Sequence, residues 1–389
     1  MSLAPADRCP LIAHVVFRFD VGGLENGLVN LVNGLPEAEF RHAIIALTEA
    51  SAFRRRLKRE SVGVYALGKR PGWDLAAYAR LYRLLRDLKP AAVHTRNFGT
   101  LDCTLIAWLA GVRVRIHGEH GWDVHDPDGT RRKYRYVRRA LSPLVRRFVA
   151  VSRDLERWLA GTVGIPARKI VHICNGVDTE RFVPNALSPA EPLPPERFPD
   201  GTLVVGSVTR FEEIKDPLNL VRAFIGARRL LGARGAPLRL LMVGDGPLRA
   251  AAQAELEAAG EGASAWLPGA RDDVGALLRR MHLYVLGSRR EGISNTVLEA
   301  MACGLPVVAT ATGGNLELVA PGRTGALVPP GDPAALAAAI AAYAGDPELR
   351  ARQGRAARER AEGEFSLRRM LRDYRELYRT VFTEAGVAL

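Results

Sequence analysis

The densest run of chemically useful residues in this 389-residue chain is Glu291-Gly292-Ile293-Ser294-Asn295-Thr296-Val297-Leu298-Glu299. Glu291 falls in a loop, and Glu299 falls about one turn inside a helix that opens at Asn295, so the two acids do not share a simple helical face. A carboxylate inside a helix start, beside residues small enough to let a ligand approach, suits hydrogen bonding to the paired hydroxyls of a ribose. A carboxylate in the loop ahead of it can reach a sugar. Backbone N–H groups from Ile293, Ser294 and Asn295, with Thr296 beside them, add an anion site at the helix N-terminus.

A second group can handle phosphate. Arg210 and Lys215 flank the approach to a helix whose first turn falls at Pro217, so a guanidinium, an ammonium and the positive end of a helix can converge on a diphosphate. That would neutralise a departing nucleotide without a metal. Gly244 and Gly246 turn a strand end into a helix start; they serve equally as plain turn residues or as the lining of a nucleotide pocket. Gly22 and Gly23 open a helix after the first strand, where backbone N–H groups can approach an anion or a sugar oxygen. They do not complete GxGxxG, because Gly27 lies five residues after Gly22.

Ile116-His117-Gly118-Glu119-His120-Gly121-Trp122 places two imidazoles and a carboxylate at a strand end. His117 and His120 could ligate a metal, but their spacing on a glycine-flanked loop, with no further ligands nearby, favours hydrogen bonding to a substrate. The pair Asp126-Pro127-Asp128 resembles an acidic metal motif only loosely. No metal site is assigned.

These residues need strands and helices to hold them. Apolar, often β-branched runs at Leu11–Phe17, His42–Leu47, Val62–Leu67, Ala91–Thr95, Val112–His117, Phe148–Val151 and Ile170–Cys174 alternate with helical stretches such as Trp73–Leu88. Such alternation is the mark of a parallel sheet with helical crossovers. It restarts at Leu203–Val208, Leu238–Val243, Ala265–Leu267, Leu283–Leu286 and Val307–Ala309, with helices at Pro217–Leu230, Pro247–Ala259, Asn295–Ala302 and Pro333–Tyr343. Between the two series, Pro184, Pro189, Pro192, Pro194, Pro195 and Pro199 forbid regular structure and form a stiff connector. The chain therefore divides into an α/β domain at 1–185, a linker at 186–200, a second doubly wound domain at 201–363, and a charged amphipathic helix within 364–389 that packs back on the first domain. Ligands settle in such folds at the carboxyl ends of the strands.

Composition is globular, with 48% hydrophobic and 25% charged residues. No 18-residue apolar run exists, and the Ala-rich Asp332–Ala344 is too short to span a bilayer. Pro5, Asp7, Arg8 and Pro10 interrupt anything like a signal peptide, so a cytoplasmic location is expected. Four scattered cysteines indicate buried thiols rather than disulfides or zinc. The net charge of +13 is lopsided: residues 1–185 carry 30 Lys and Arg against 18 acids, and the remainder 25 against 24. The first half thus faces an anionic partner. Eight basic residues between Arg131 and Arg147, interleaved with aromatic and aliphatic ones, mark a helix suited to anionic lipid or a lipid-diphosphate acceptor. A nucleic-acid partner is disfavoured, since no recognition module accompanies the charge.

Taken in order, the GG pair, HGEHG, Asn175-Gly176-Val177-Asp178, TRFEEIKDP, GDGPLR and the two glutamates resemble the retaining glycosyltransferases of family 4, over nearly the whole chain. The opening RFDVGGLENGLVN, with His94-Thr95-Arg96-Asn97 and RIHGEHG, is more closely similar to bacterial sugar transferases of exopolysaccharide and PEP-CTERM systems. The resemblance implies the GT-B fold, two Rossmann-like domains facing across a cleft, and a UDP- or GDP-sugar donor with no cofactor. It implies that Arg210 and Lys215 bind the donor diphosphate, Glu299 the ribose, Glu291 the donor sugar and His120 a sugar hydroxyl near the reacting carbon, while Gly22 and Gly23 line the phosphate and acceptor side. The segment between Arg210 and Lys215 departs from the small-residue run common in the family. Other GT-B enzymes offer alternatives: an epimerase would turn over donor without acceptor, and a phosphorylase would need a Schiff-base lysine.

Overall fold

A parallel strand covered by helices on both faces must bury every side chain, and the apolar runs that open each half of the chain become such strands. The computed structural model describes residues 9–123, 126, 128–188, 193–235 and 237–388. The chain separates into two compact units, Met1–Asn175 with Arg368–Leu389, and Gly176–Leu367.

In the first unit, β1 (Leu11–Val16), β2 (Arg41–Ala46), β3 (Gly63–Ala66), β4 (Ala92–Arg96), β5 (Val114–Glu119), β6 (Arg147–Ala150) and β7 (Ile170–His172) form one parallel sheet in the order β3-β2-β1-β4-β5-β6-β7. The order reverses between β1 and β4, which pair in register with His14 opposite His94. The crossovers include α1 (Gly23–Gly34), α2 (Leu75–Leu88), α3 (Cys103–Leu109), α4 (Arg132–Leu141) and α5 (Arg153–Trp158). On α2, Ala77, Leu81 and Leu85 recur every fourth residue and are buried. Asp74 starts that helix by accepting from the Ala77 N–H at 3.0 Å.

The second unit repeats the plan. Strands β8 (Leu203–Val208), β9 (Leu238–Val243), β10 (Ala265–Gly269), β11 (Leu283–Leu286), β12 (Val307–Thr310) and β13 (Gly325–Val328) run parallel in the order β10-β9-β8-β11-β12-β13, reversing between β8 and β11. Its helices include α6 (Pro217–Leu231), α7 (Arg249–Ala258), α8 (Val274–Arg279), α9 (Asn295–Ala302), α10 (Asn315–Leu318), α11 (Pro333–Gly345) and α12 (Pro347–Glu364). Val205, Phe224, Leu240, Val308, Leu336 and Ile340 meet in its core. The final helix, α13 (Leu367–Glu384), completes the first unit: Tyr378 and Phe382 are fully buried against Phe40, and Arg375 pairs with Glu39 at 2.8 Å.

Most expected strands shift by one or two residues at their ends. In the second unit β13, α8, α10 and α12 were not expected. β13 is only four residues long and begins with glycine. The stripe that α12 buries is Gln353, Gly354, Ala357 and Ala361, which carries no large apolar side chain and leaves no hydrophobic period to read. Within the proline-rich stretch Leu193 and Phe198 are buried, Phe198 meets Trp266 edge-on at 6.0 Å and Arg197 donates to the Ala265 carbonyl at 2.9 Å. Pro5, Asp7, Arg8, Pro127, Pro189 and Pro192 lie outside the described residues.

Two glycines make a stability test. A Cβ on Gly325 would stand 1.8 Å from the Val307 carbonyl oxygen, whereas one on Gly345 meets nothing within 4 Å. Gly325→Ala should lower stability by about 1–3 kcal/mol through overpacking. Gly345→Ala should leave stability unchanged or raise it by up to about 1 kcal/mol. Thermal melts of the two variants check this, and an equal Tm for both contradicts it.

Candidate active site

In the second unit the loops leaving β8, β9, β11 and β12 gather at the strand ends, where the order reverses. Glu291 is 5% exposed, and its Oε1 accepts from the Lys215 ammonium at 2.6 Å and from the Ser288 hydroxyl at 2.7 Å. Lys215 ends a short 3-10 turn, Glu213–Lys215, and the next residue, Asp216, adopts a left-handed conformation (φ 45°, ψ 55°) before α6 starts at Pro217. Asp216 accepts from Arg289 Nε at 2.9 Å, and the Arg289 N–H donates to the Ile214 carbonyl at 2.9 Å. Lys215 and Glu291 are thus brought together by two loops stitched through main chain and side chain.

Glycines allow this approach. A Cβ on Gly313 (φ 48°) would stand 1.9 Å from the Glu291 carbonyl oxygen, and one on Gly314 1.9 Å from that of Gly292. Gly244 (φ 135°) and Gly246 (φ 149°) do the same for the β8 and β9 loops, against the carbonyls of Thr209 and Phe211 at 1.9 and 2.7 Å. Thr310 and Thr312 donate to the carbonyls of Ser288 and Arg289 at 2.5 and 3.0 Å. Ser294 caps α9, accepting from the Val297 N–H at 3.3 Å, while Thr296 lies 2.7 Å from the Tyr284 hydroxyl. Ile293 is buried, Asn295 opens α9, and Glu299 sits one turn into it.

Arg210 is not drawn onto this pair. Its side chain is 64% exposed and bridges to Glu212 at 2.8 Å. Ser288, Asp216 and Arg289 are parts of the site that motif reading passed over.

The first unit gathers a different set. Alternate residues of β4 and β5 point to opposite faces. On one face His117 is fully buried, with Nδ1 2.8 Å from Thr95 Oγ1 and Nε2 3.3 Å from Glu119 Oε1. Glu119 in turn takes two bonds from Arg138, at 2.5 and 3.2 Å. Burial alone would raise the Glu119 carboxyl, but Arg138 and His117 bring it down to about 2. His117 is therefore part of a buried ion-pair network, not a free ligand. On the other face lie His14, His94 and Arg96, with His120 at the strand end. His120 is held by its backbone, whose N–H donates to Asn97 Oδ1 at 2.7 Å. Asn97 sits at φ 58°, unusual for a non-glycine residue, and its own N–H donates to the Gly118 carbonyl at 2.7 Å. Gly22 leads into α1 in extended backbone without a side-chain cap; a Cβ there would strike the Glu25 carboxylate at 2.1 Å.

The basic stretch is not one exposed face. Arg138 is 3% exposed and stacks between Phe98 and Trp158 at 4.7 and 4.9 Å, and Arg146 and Arg147 bond to Glu384 at 3.4 and 2.5 Å. Arg131, Arg132, Lys133 and Arg139 stay exposed, as does Tyr136. In the acidic pair, Asp126 is buried and caps the following turn by accepting from the Arg131 N–H at 3.0 Å. Among the described residues no group of three or more His, Cys, Asp or Glu side chains is arranged to hold a metal, and no helix is long and apolar enough to cross a membrane.

Two doubly wound units, each with polar loops collected at its switch point, define the GT-B architecture. The chain belongs to the glycosyltransferases: residues 192–360 match the model of glycosyl transferases group 1, and residues 21–181 that of Glycosyltransferase Family 4. It is similar to the EpsF protein of Bacillus subtilis (28% identity over 221 residues, 56% of each chain) and to the Vi polysaccharide biosynthesis protein VipC/TviE of Salmonella typhi (31% over 185 residues, 46% of this chain and 30% of that one). The matches thus span about half or less of those relatives. The fold is that of Anabaena HepE, solved in complex with UDP and glucose, with a TM-score of 0.80 at 19% identity over 95% of this chain and 100% of the other.

Burial holds His14 and His94 well below the ordinary imidazole range and brings His42 and His120 to about 3, with Arg96 adding to the effect. The unfolded chain therefore binds more protons than the folded one below about pH 6.5, so stability falls as pH drops from there toward about 3. Each such ring contributes a slope of about 1.4 kcal/mol per pH unit. Thermal melts between pH 7.5 and 4.5 should show the loss, and His42→Asn should make it shallower. A pH-independent Tm rules this account out.

Proposed function

We propose that the chain moves a sugar from a nucleotide-sugar donor, with UDP or GDP as the nucleotide, onto a hydroxyl of a glycan or lipid-linked glycan in extracellular polysaccharide biosynthesis. The observation that carries the reading is the Lys215–Glu291 pair at the β8/β11 switch point. Glu291 accepts from one of the three donors of the ammonium, which orients a cation where a diphosphate would lie. Arg210, exposed and bridged to Glu212, exchanges that carboxylate for the same group when the donor binds. Glu299 serves the ribose, Ile293 to Thr296 the phosphate or sugar oxygens, and His120 a sugar hydroxyl.

In this reading the reaction retains anomeric configuration. The acceptor hydroxyl attacks from the face that the nucleotide leaves, a donor phosphate oxygen takes the proton, and Lys215, Arg210 and helix N-termini stabilise the charge that builds on the diphosphate. These cations stand in the role a metal fills in other transferases. The relatives named for polysaccharide synthesis and the neighbour solved with UDP and glucose support the donor class. The exposed cations Arg131, Arg132, Lys133 and Arg139 with Tyr136 support an anionic membrane surface as the place of work.

A thermal-shift panel of UDP-, GDP- and ADP-sugars names the nucleotide, and no stabilisation by any of them sinks the reading. Lys215→Ala should lower kcat by about 100-fold or more with a normal melt; wild-type turnover would contradict the diphosphate role. Turnover should persist in excess EDTA, and NMR of the first product should show the donor's anomeric configuration. Vesicle sedimentation should show binding to anionic and not to neutral lipid; equal binding removes the membrane proposal.

A further inference from the structure

Arg96 closes β4 with its side chain 3% exposed, and among the described residues no carboxylate hydrogen-bonds to it. It donates to His14 Nδ1 at 3.1 Å and to the His94 carbonyl at 3.4 Å, with Tyr378 within electrostatic reach. Glu25 lies within electrostatic reach but is folded back over Gly22 at the start of its own helix. A buried charge without a counter-charge is costly, so this cation has room for an anion that arrives from outside.

Arginine only donates. His14 must accept at Nδ1, so its proton lies on Nε2 and is donated to His42 Nδ1 at 3.0 Å. The Tyr378 hydroxyl stands 2.9 Å from His94 Nδ1. The other ring nitrogen of His94, Nε2, is buried with no partner. The polar cluster around the guanidinium thus ends on a buried nitrogen with a hydrogen bond still to make.

His120 brings a second such nitrogen to the same place. A Cβ on Gly118 would stand 3.3 Å from His94 Nε2 and 2.6 Å from His120 Nε2, and the latter is likewise buried and unpartnered. The bare Cα of Gly118 leaves the space that both nitrogens border. The backbone of His120 is pinned by Asn97, but among the described residues its ring makes no hydrogen bond. We propose that Arg96, His94 and His120 form an acceptor-anion subsite that receives a carboxylate or phosphate group carried by the acceptor. This rests on the sugar-transfer reading above, and it makes Arg96 the residue that selects acidic over neutral acceptors.

Calorimetric titration of the full chain, with and without saturating UDP, tests it with three probes of one carbon skeleton: glycerate, glycerol 3-phosphate and glycerol. At least one anion should bind while glycerol does not, and which anion binds separates carboxylate from phosphate. Arg96→Gln should weaken that anion about tenfold or more, Arg96→Lys should restore most of it, and UDP affinity should not change. Gly118→Ala moves no charge but drives a methyl into both imidazoles, so it should weaken the anion similarly and decides the matter if Arg96→Gln fails to fold. Equal affinity for all three probes, or anion affinity untouched in a folded Arg96→Gln or Gly118→Ala chain, overturns the proposal. Arg96-dependent anion binding in a chain that ignores UDP upholds the subsite and counts against the nucleotide-sugar reading.

Discussion

Main chain meeting main chain, with no side chain between, is the constraint on which the second unit's site depends. Gly313 and Gly314 lie so close to the carbonyls of Glu291 and Gly292 that any Cβ would overlap them, and Gly244 and Gly246 stand in the same relation to Thr209 and Phe211. The loops can then share threonine and arginine bonds, and Glu291 can be buried with its carboxylate turned to Lys215. A buried acid is tolerable because it is paired and hydrogen-bonded. Loops held this way present a fixed geometry on a rigid sheet, which is what charge stabilisation in a reaction requires.

The first unit solves a related problem differently. Because side chains alternate along a strand, β4 and β5 feed two separate polar clusters, one on each face of the sheet. Thr95, His117, Glu119 and Arg138 close on themselves, with each charge answered and two aromatic rings packed on the guanidinium. Around His94 and Arg96 the set stays open, and His94 and the nearby His120 each keep a buried Nε2 without a partner. Closed and open networks of similar composition thus lie back to back.

The strands of both sheets were legible because burial on two faces writes an apolar run into the sequence, and the glycine turns at their ends were legible because few other residues tolerate those dihedrals. The Lys215 and Glu291 loops stood out for another reason, charged residues set just before a helix start. What could not be read is which polar residues turn inward. Arg138 and Arg139 are neighbours in one basic run, yet one is buried on Glu119 and the other exposed. His14 and His94 look like interruptions of apolar strands, and only the strand register shows that they face each other. Asp216 carries no mark of the left-handed turn it occupies. These are facts of tertiary pairing, and a single sequence does not contain them in local form.

The last helix belongs to the first unit, and this bears on how the protein is made. Phe40 and His94 emerge early, but Tyr378 and Phe382, which cover them, are translated only after the whole second unit. At about 5–20 residues per second, the nearly 300 residues between His94 and Tyr378 take roughly 15–60 s. For that interval the nascent sheet has an uncovered apolar and histidine-lined face, so the half of the molecule that leaves the ribosome first is the one finished last, and a chaperone has a defined surface to shield.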